Sequence, residues 1–368
     1  MHIPDGYLSP ATCATFYGAS VPVWMVAGRR VRKVVKNRYV PLVAIGAAYS
    51  FLVMMFNVPI PDGTTAHAVG AVLIAVLLGP WAAVVAVSIA LLIQALFFGD
   101  GGVLSYGANV FNMAIVMPIV GYAVYRLVAR KVSLTSPRRA VAAGIGGYVG
   151  LNLAALCAAV EFGVQPTLFH SADGTPLYAP FHLAHTIPTM ALAHLTVAGI
   201  AEVVLTAGVV AYLQRANLPI LRINHPALPE TDEEMARARG LQGRPGAPRS
   251  LGWRRGLIGL GAMAILTPLG LLAPGGAFGE SAPQDLDLKK YHLDAVPSGV
   301  RHYAGFWHNA LFDGYDFTSD SHPVIGYVVS AVVGIAVIAA VVFAVFVVVR
   351  LVRRSRRERD DELEPARA

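Results

Sequence analysis

Three stretches of this chain, "WAAVVAVSIALLIQALFF", "MALAHLTVAGIAEVVLTAGVVAYL" and "VIGYVVSAVVGIAVIAAVVFAVFVVV", run for 18 to 26 residues with at most one acidic or basic side chain each. As helices rising 1.5 Å per residue, runs of about 20 residues cross the roughly 30 Å of hydrocarbon in a bilayer. A barrel would need alternating apolar and polar residues, so continuous runs demand helices, which satisfy every backbone polar group internally. The rest of the composition agrees: 55% of the 368 residues are hydrophobic and only 14% charged, where soluble chains carry about 25% charge. The expected fold class is an all-α polytopic membrane protein.

Basic clusters set the orientation, because lysine and arginine flanking a span stay on the cytoplasmic side. A first helix over about residues 11 to 28 runs inward to Arg29, Arg30, Arg32, Lys33, Lys36 and Arg38, and a second over about 40 to 57 returns. Further crossings follow at about 67 to 78, 81 to 98, 108 to 125, 140 to 160 and 187 to 213, with inner ends marked by Arg126, Arg130, Lys131, Arg138, Arg139, Arg215 and Arg222. These seven helices make a first domain, 1–222, with its amino terminus outside. Residues 223–252 are polar and rich in Pro, Gly and charge, as a cytoplasmic linker is. Two more helices, at about 256 to 273 and 323 to 351, enclose an external segment, 274–322, in a second domain, 253–351, ahead of a cytoplasmic tail, 352–368.

Several functions are excluded. The formal charge of +7 comes from these orientation clusters, so it implies a lipid bilayer as partner and no nucleic acid. Cys13 and Cys157, the only cysteines, both lie in apolar segments, which argues against a disulfide framework or thiolate metal cluster. There is no G-x-x-x-x-G-K-[ST] for a phosphate-binding loop, so any ATP hydrolysis belongs to other subunits. No inverted internal repeat is visible. The basic cluster follows the first apolar run instead of preceding it, unlike a secretory signal, and an uncleaved amino terminus is expected.

That terminus reads "MHIPDGYLSP". The α-amine of Met1, the amide nitrogen of His2 and His2 Nδ1 form fused five- and six-membered chelate rings around a metal. A fourth in-plane ligand must come from elsewhere in the fold. Planar nitrogen ligation suits Ni(II) or Cu(II) and can be imposed on Co(II), whereas Zn(II) prefers a tetrahedron. His67 is the candidate fourth ligand, since it follows the turn-rich "PIPDGTT" at the outer end of the third helix. On these residues alone, a solvated terminal histidine and a solvated loop histidine remain the competing reading.

"MHIPDGYLSP", "GTTAHAVGAVLIAVLLGPWAA" and "LLIQALFFGDGGVLSYGANVFNMAIVMP" together resemble the CbiM/NikM family, the membrane substrate-binding (S) components of energy-coupling factor transporters for cobalt and nickel. The likeness covers about residues 1 to 222. From 253 onward the chain resembles the small CbiN/NikN component, a PDGLE-type domain, although "APGGAFGESAPQDLD" has no literal P-D-G-L-E. The resemblance implies a multi-pass protein of a prokaryotic cell membrane, not an enzyme, that captures Co(II) or Ni(II) on the outer face for cobalamin synthesis or nickel enzymes. It assigns the metal to Met1, His2 and His67, and implies as partners a transmembrane coupling (T) component and two cytosolic ATPases. In "FFGDGGVLSYGAN", Asp100, Ser105 and Asn109 are candidates to support His67 or cover the tail by hydrogen bonds, the alternative being a loop that only closes a helical hairpin.

Other polar groups are weighed beside these. His182, His185 and His194 offer a second metal site or, more blandly, interhelical hydrogen bonds. Glu202, mid-span, must pair internally or be protonated. Asp285, Asp287, Asp294, Asp313, Asp316 and Asp320 with His292, His302, His308 and His322 would gather cations or simply solubilise the outer segment. Two rival functions follow: an ion-coupled metal permease using Glu202 and the histidines of 182 to 194, and a histidine-metal membrane enzyme, for which the paired histidine boxes are absent.

Overall fold

The computed structural model describes residues 1–34, 40–60, 64–231, 233–234, 253–273, 276–317 and 322–363. Lys36, Arg38, residues 61–63, most of the 223–252 linker, Asp320 and the last five residues lie outside the described residues. The protein is an all-α polytopic membrane protein with one two-stranded ribbon, β1 (Val58–Ile60) against β2 (Thr64–Ala66).

Among the described residues six helices are long and apolar enough to cross a membrane: α4 (Pro80–Phe98), α5 (Tyr106–Val128), α6 (Pro137–Leu168), α7 (Leu183–Ala216), α8 (Arg254–Leu272) and α9, whose apolar part is Pro323–Val352. The sequence expectation was nine. The other three helices differ for physical reasons: α1 (Pro10–Val34) is long but less apolar, α2 (Val40–Met54) has 15 residues, and α3 (Ala71–Leu78) has eight, a rise of only about 12 Å.

The helix α3 is short because the chain is broken at both ends. Gly70 takes a left-handed conformation ahead of it, and Gly79 with Pro80 turns the chain into α4 behind it. The carboxyl group of Glu202, from α7, accepts the Val69 and Gly70 N–H groups at 2.9 and 3.0 Å and the Thr206 hydroxyl at 3.0 Å. It thereby satisfies amides that have no intrahelical partner. Residues 67 to 70, expected as the start of a helix, are instead non-helical, and His67 is presented from them.

Around the buried α3 pack α2, α4, α5 and α6. The crossing of α5 and α6 depends on small residues: a Cβ on Gly146 would lie 2.5 Å from the Gly121 carbonyl, and one on Gly150 would lie 2.6 Å from that of Met117. Such approach of two backbones is how membrane helices gain contact without a hydrophobic driving force. A π-helical stretch, Val110–Val116, follows directly after Asn109 within α5.

The spans α8 and α9 are peripheral, with 22% and 17% of their apolar windows covered by protein against 67% for α4, so most of their surface is left for lipid. Gly334 of α9 sits against the Phe51 ring of α2. The segment between them folds down over the first domain: Trp307 Nε1 donates to the Leu96 carbonyl at 2.8 Å, Phe312 N–H to Phe97 at 3.0 Å, Gly299 N–H to Leu177 at 2.7 Å, and Tyr7 hydroxyl to Ser281 at 2.7 Å.

Candidate metal centre

The first residues are inserted into the protein, with Met1, His2 and Ile3 all buried. The loop between α4 and α5 holds them. Asn109 clamps Ile3 on both sides, its Oδ1 accepting the Ile3 N–H at 2.8 Å and its Nδ2 donating to the Ile3 carbonyl at 3.1 Å. Gly102 N–H donates to the same carbonyl at 2.9 Å. Asp5 accepts the N–H groups of Val103, Leu104 and Ser105 at 3.0, 2.8 and 3.2 Å, and the Ser105 hydroxyl lies 2.9 Å from the Pro4 carbonyl. The glycines of this loop are required by proximity: a Cβ on Gly102 would lie 2.5 Å from the Asp5 nitrogen, and Gly101 combines φ +83° with a neighbouring His2 side chain.

Asp100, Ser105 and Asn109 thus all act on residues 1–5, and none hydrogen-bonds His67. Asp100 Oδ1 lies 2.6 Å from His2 Nδ1, while its Oδ2 accepts from Tyr315 and, at 3.1 Å, from Gln94 Nε2. Burial by itself would raise the Asp100 carboxyl, but the His2 charge and hydrogen bond, with Tyr315 and His67, hold it well below the usual carboxylate range.

His2 and His67 face each other with ring centroids 5.0 Å apart and planes inclined by 25°. His67 Nδ1 lies 3.0 Å from the Ala68 carbonyl, which assigns its proton to Nδ1 and leaves the Nε2 lone pair facing the site. Burial, the Met1 amine and His2 push the His67 imidazole well below its ordinary value, so it is neutral and ready to ligate. Both Nε2 atoms are buried without a hydrogen-bond partner. Such orphaned atoms are rare in well-packed interiors and point to an absent ligand.

One group here was missed in the sequence. Glu280, from the outer segment of the second domain, accepts the Met1 amine at 2.9 Å and the His2 N–H at 2.8 Å on the same oxygen, Oε1. His2, His67 and Glu280 place one donor atom each within 4.8 Å of one another, the only group of three or more His, Cys, Asp and Glu that does so among the described residues. The only sequence signal was that Glu280 follows three closely spaced glycines, Gly275, Gly276 and Gly279, in the PDGLE-like stretch.

The chelate expected from Met1 and His2 uses His2 Nδ1, and here that atom is engaged by Asp100. Closing the six-membered ring on a metal requires the His2 ring to turn away from Asp100. The other histidines are elsewhere: His194 Nδ1 is 2.8 Å from the Met190 carbonyl, His185 packs against Phe278 and Tyr291, and His182 is the exposed residue preceding α7. The outer aspartates and histidines form no metal group among the described residues.

The chain matches the family model for the cobalt uptake substrate-specific transmembrane region over residues 2–219, and the PDGLE domain over residues 254–351. It is 47% identical to a fused nickel transport protein, NikMN, of Rhodobacter capsulatus, over 92% of this chain and 94% of that protein. It is 45% identical to a probable fused nickel transport protein, LarMN, of Lactiplantibacillus plantarum, over 92% of this chain and 95% of that one. A solved structure of a transition metal transporter, 52% identical, superposes with a TM-score of 0.56 over 66% of this chain and all of that chain. A truncated transition metal transporter is 57% identical with a TM-score of 0.55, covering 58% of this chain and 98% of that one.

Proposed function

Because this chain belongs to the cobalt uptake substrate-specific transmembrane family, whose members are transporters and not enzymes, we propose that it captures Co(II) or Ni(II) for import. The ligands are the Met1 amine, the His2 amide nitrogen and imidazole, and His67 Nε2. The observation that carries this reading is the meeting of a buried amino terminus with two imidazoles whose Nε2 atoms have no partner. Planar nitrogen ligation suits nickel and can be imposed on cobalt. Capture takes place on the outer face, the side assigned to the amino terminus by the distribution of basic residues.

The chain has no phosphate-binding loop, so the energy for uptake comes from other subunits. A transmembrane coupling component and two cytosolic ATPases fill that role, as in energy-coupling factor importers, and the imported metal feeds cobalamin synthesis or nickel enzymes. Glu202 serves α3 as an amide acceptor, which favours this reading over a permease that uses Glu202 as its pathway.

Ligation converts an ammonium to an amine and removes the His2 amide proton, while His67 is already neutral. Binding therefore releases protons, at least one from the amine and one from the amide. The test is Ni(II) and Co(II) titration of purified protein whose terminus is confirmed as Met1. Acetylating the amine, or inserting one residue between Met1 and His2, is expected to weaken binding at least a hundredfold. Unchanged affinity in both variants rules out the site.

A further inference from the structure

The Glu280 carboxylate belongs to none of the nitrogen ligands and comes from the other domain. Its Oε1 stands at the mouth of the chelate, in contact with both the Met1 amine and the His2 N–H. It is also the most open member of the group: its side chain is 21% exposed, whereas His2 and His67 are 2% and 3% exposed. Of these three ligands it is the one open to solvent.

Behind it stands a buried ammonium, which repels a divalent ion until its charge is compensated or its proton lost. Glu280 supplies that compensation and an oxygen ligand together. The donor atoms of His2, His67 and Glu280 lie within 4.8 Å of one another, and tetrahedral ligands bonded at about 2.1 Å sit about 3.4 Å apart. Shifts of up to about 1.4 Å between the glutamate and the two imidazoles close that difference. Both histidine Nε2 atoms already lack partners.

Building on the metal-capture reading above, we infer that Glu280 is a handover ligand. With His2 Nε2 and His67 Nε2 it forms a first, mixed oxygen and nitrogen site for a divalent transition-metal ion, which then passes to the planar nitrogen set. In the transfer the Glu280–metal and His2 Nε2–metal bonds break as the Met1 amine, the His2 amide nitrogen and His2 Nδ1 bond; the amine and amide protons leave to water, and as the ring turns away from Asp100 its Nδ1 proton is lost to solvent and the vacated Nε2 takes one up. No electrons move. The mixed set tolerates tetrahedral or octahedral ions, and the planar set is the selective one. The second domain's outer segment thereby takes a direct part in loading.

The experiment is stopped-flow mixing of the full-length protein with Ni(II), read by the absorbance of the nickel centre, for the unsubstituted chain, Glu280→Gln and Glu280→Asp. Glutamine keeps an oxygen that accepts both N–H groups but is a poor metal ligand. Loading by Glu280→Gln is expected to slow at least tenfold, with Glu280→Asp intermediate, while the loaded spectrum keeps its shape because the nitrogen set is intact. An unchanged rate overturns the inference. A faster rate does so too, because it makes Glu280 a plug. Failure of the unsubstituted chain to bind nickel or cobalt is a separate result, and it removes the metal-capture reading itself.

Discussion

His225 shows how one residue reports on packing far from the metal centre. Arg139 Nη1 donates to the Tyr125 hydroxyl at 2.6 Å, and that hydroxyl lies 3.0 Å from His225 Nε2. A Tyr125 hydroxyl that donates onward to Nε2 is matched by a neutral imidazole. Burial, then Arg139 and Arg126, lower His225 from 6.5 to about 4. The unfolded chain therefore binds more protons between these two values, and the stabilisation, complete above about pH 6.5, is lost as the pH falls toward 4. Thermal unfolding in micelles is expected to show a midpoint that drops across this window, and His225→Gln to flatten the drop. At the metal centre, His2 was legible in the sequence because its chelate with Met1 is covalently local. Its present partner, Asp100, was legible only as a polar group in a glycine-rich loop, since which imidazole it would engage depends on how the tail is threaded.

The informative element is α3, eight residues long where a short crossing over about 67 to 78 was expected. Apolar composition alone does not separate a span from a buried core helix, and here Gly70 and Gly79 with Pro80 are what limit it. Its N-terminal amides depend on Glu202, so Glu202→Ala leaves two buried N–H groups unsatisfied and is expected to cost about 2 to 4 kcal/mol. Because His67 is two residues before Val69, metal affinity is expected to fall with stability, which paired denaturation and nickel titrations of the same variant measure. Equal metal affinity in a destabilised Glu202→Ala protein separates the placement of His67 from the capping of α3. The carboxyl group that sequence alone left as a charge to be paired proves to be an acceptor for the helix that follows the site.

At the scale of the whole molecule, the two domains meet through hydrogen bonds from the outer segment and through α9 against α2. None of these contacts runs through the linker. Co-expressing 1–222 and 253–368 as separate chains is therefore expected to give a complex that co-purifies through a tag on the first part, and loss of the second part on purification disproves this. The sequence by itself determined a helical membrane protein, because hydrocarbon leaves a backbone few choices. It also offered the three nitrogens of Met1 and His2 as a candidate chelate, because consecutive residues can share chelate rings. Only the tertiary structure decided that α3 stops short, that Asp100 holds His2, and that Glu280, 279 residues from Met1, closes the site. These are contacts between segments remote in sequence, set by packing in three dimensions, and no local spacing records them.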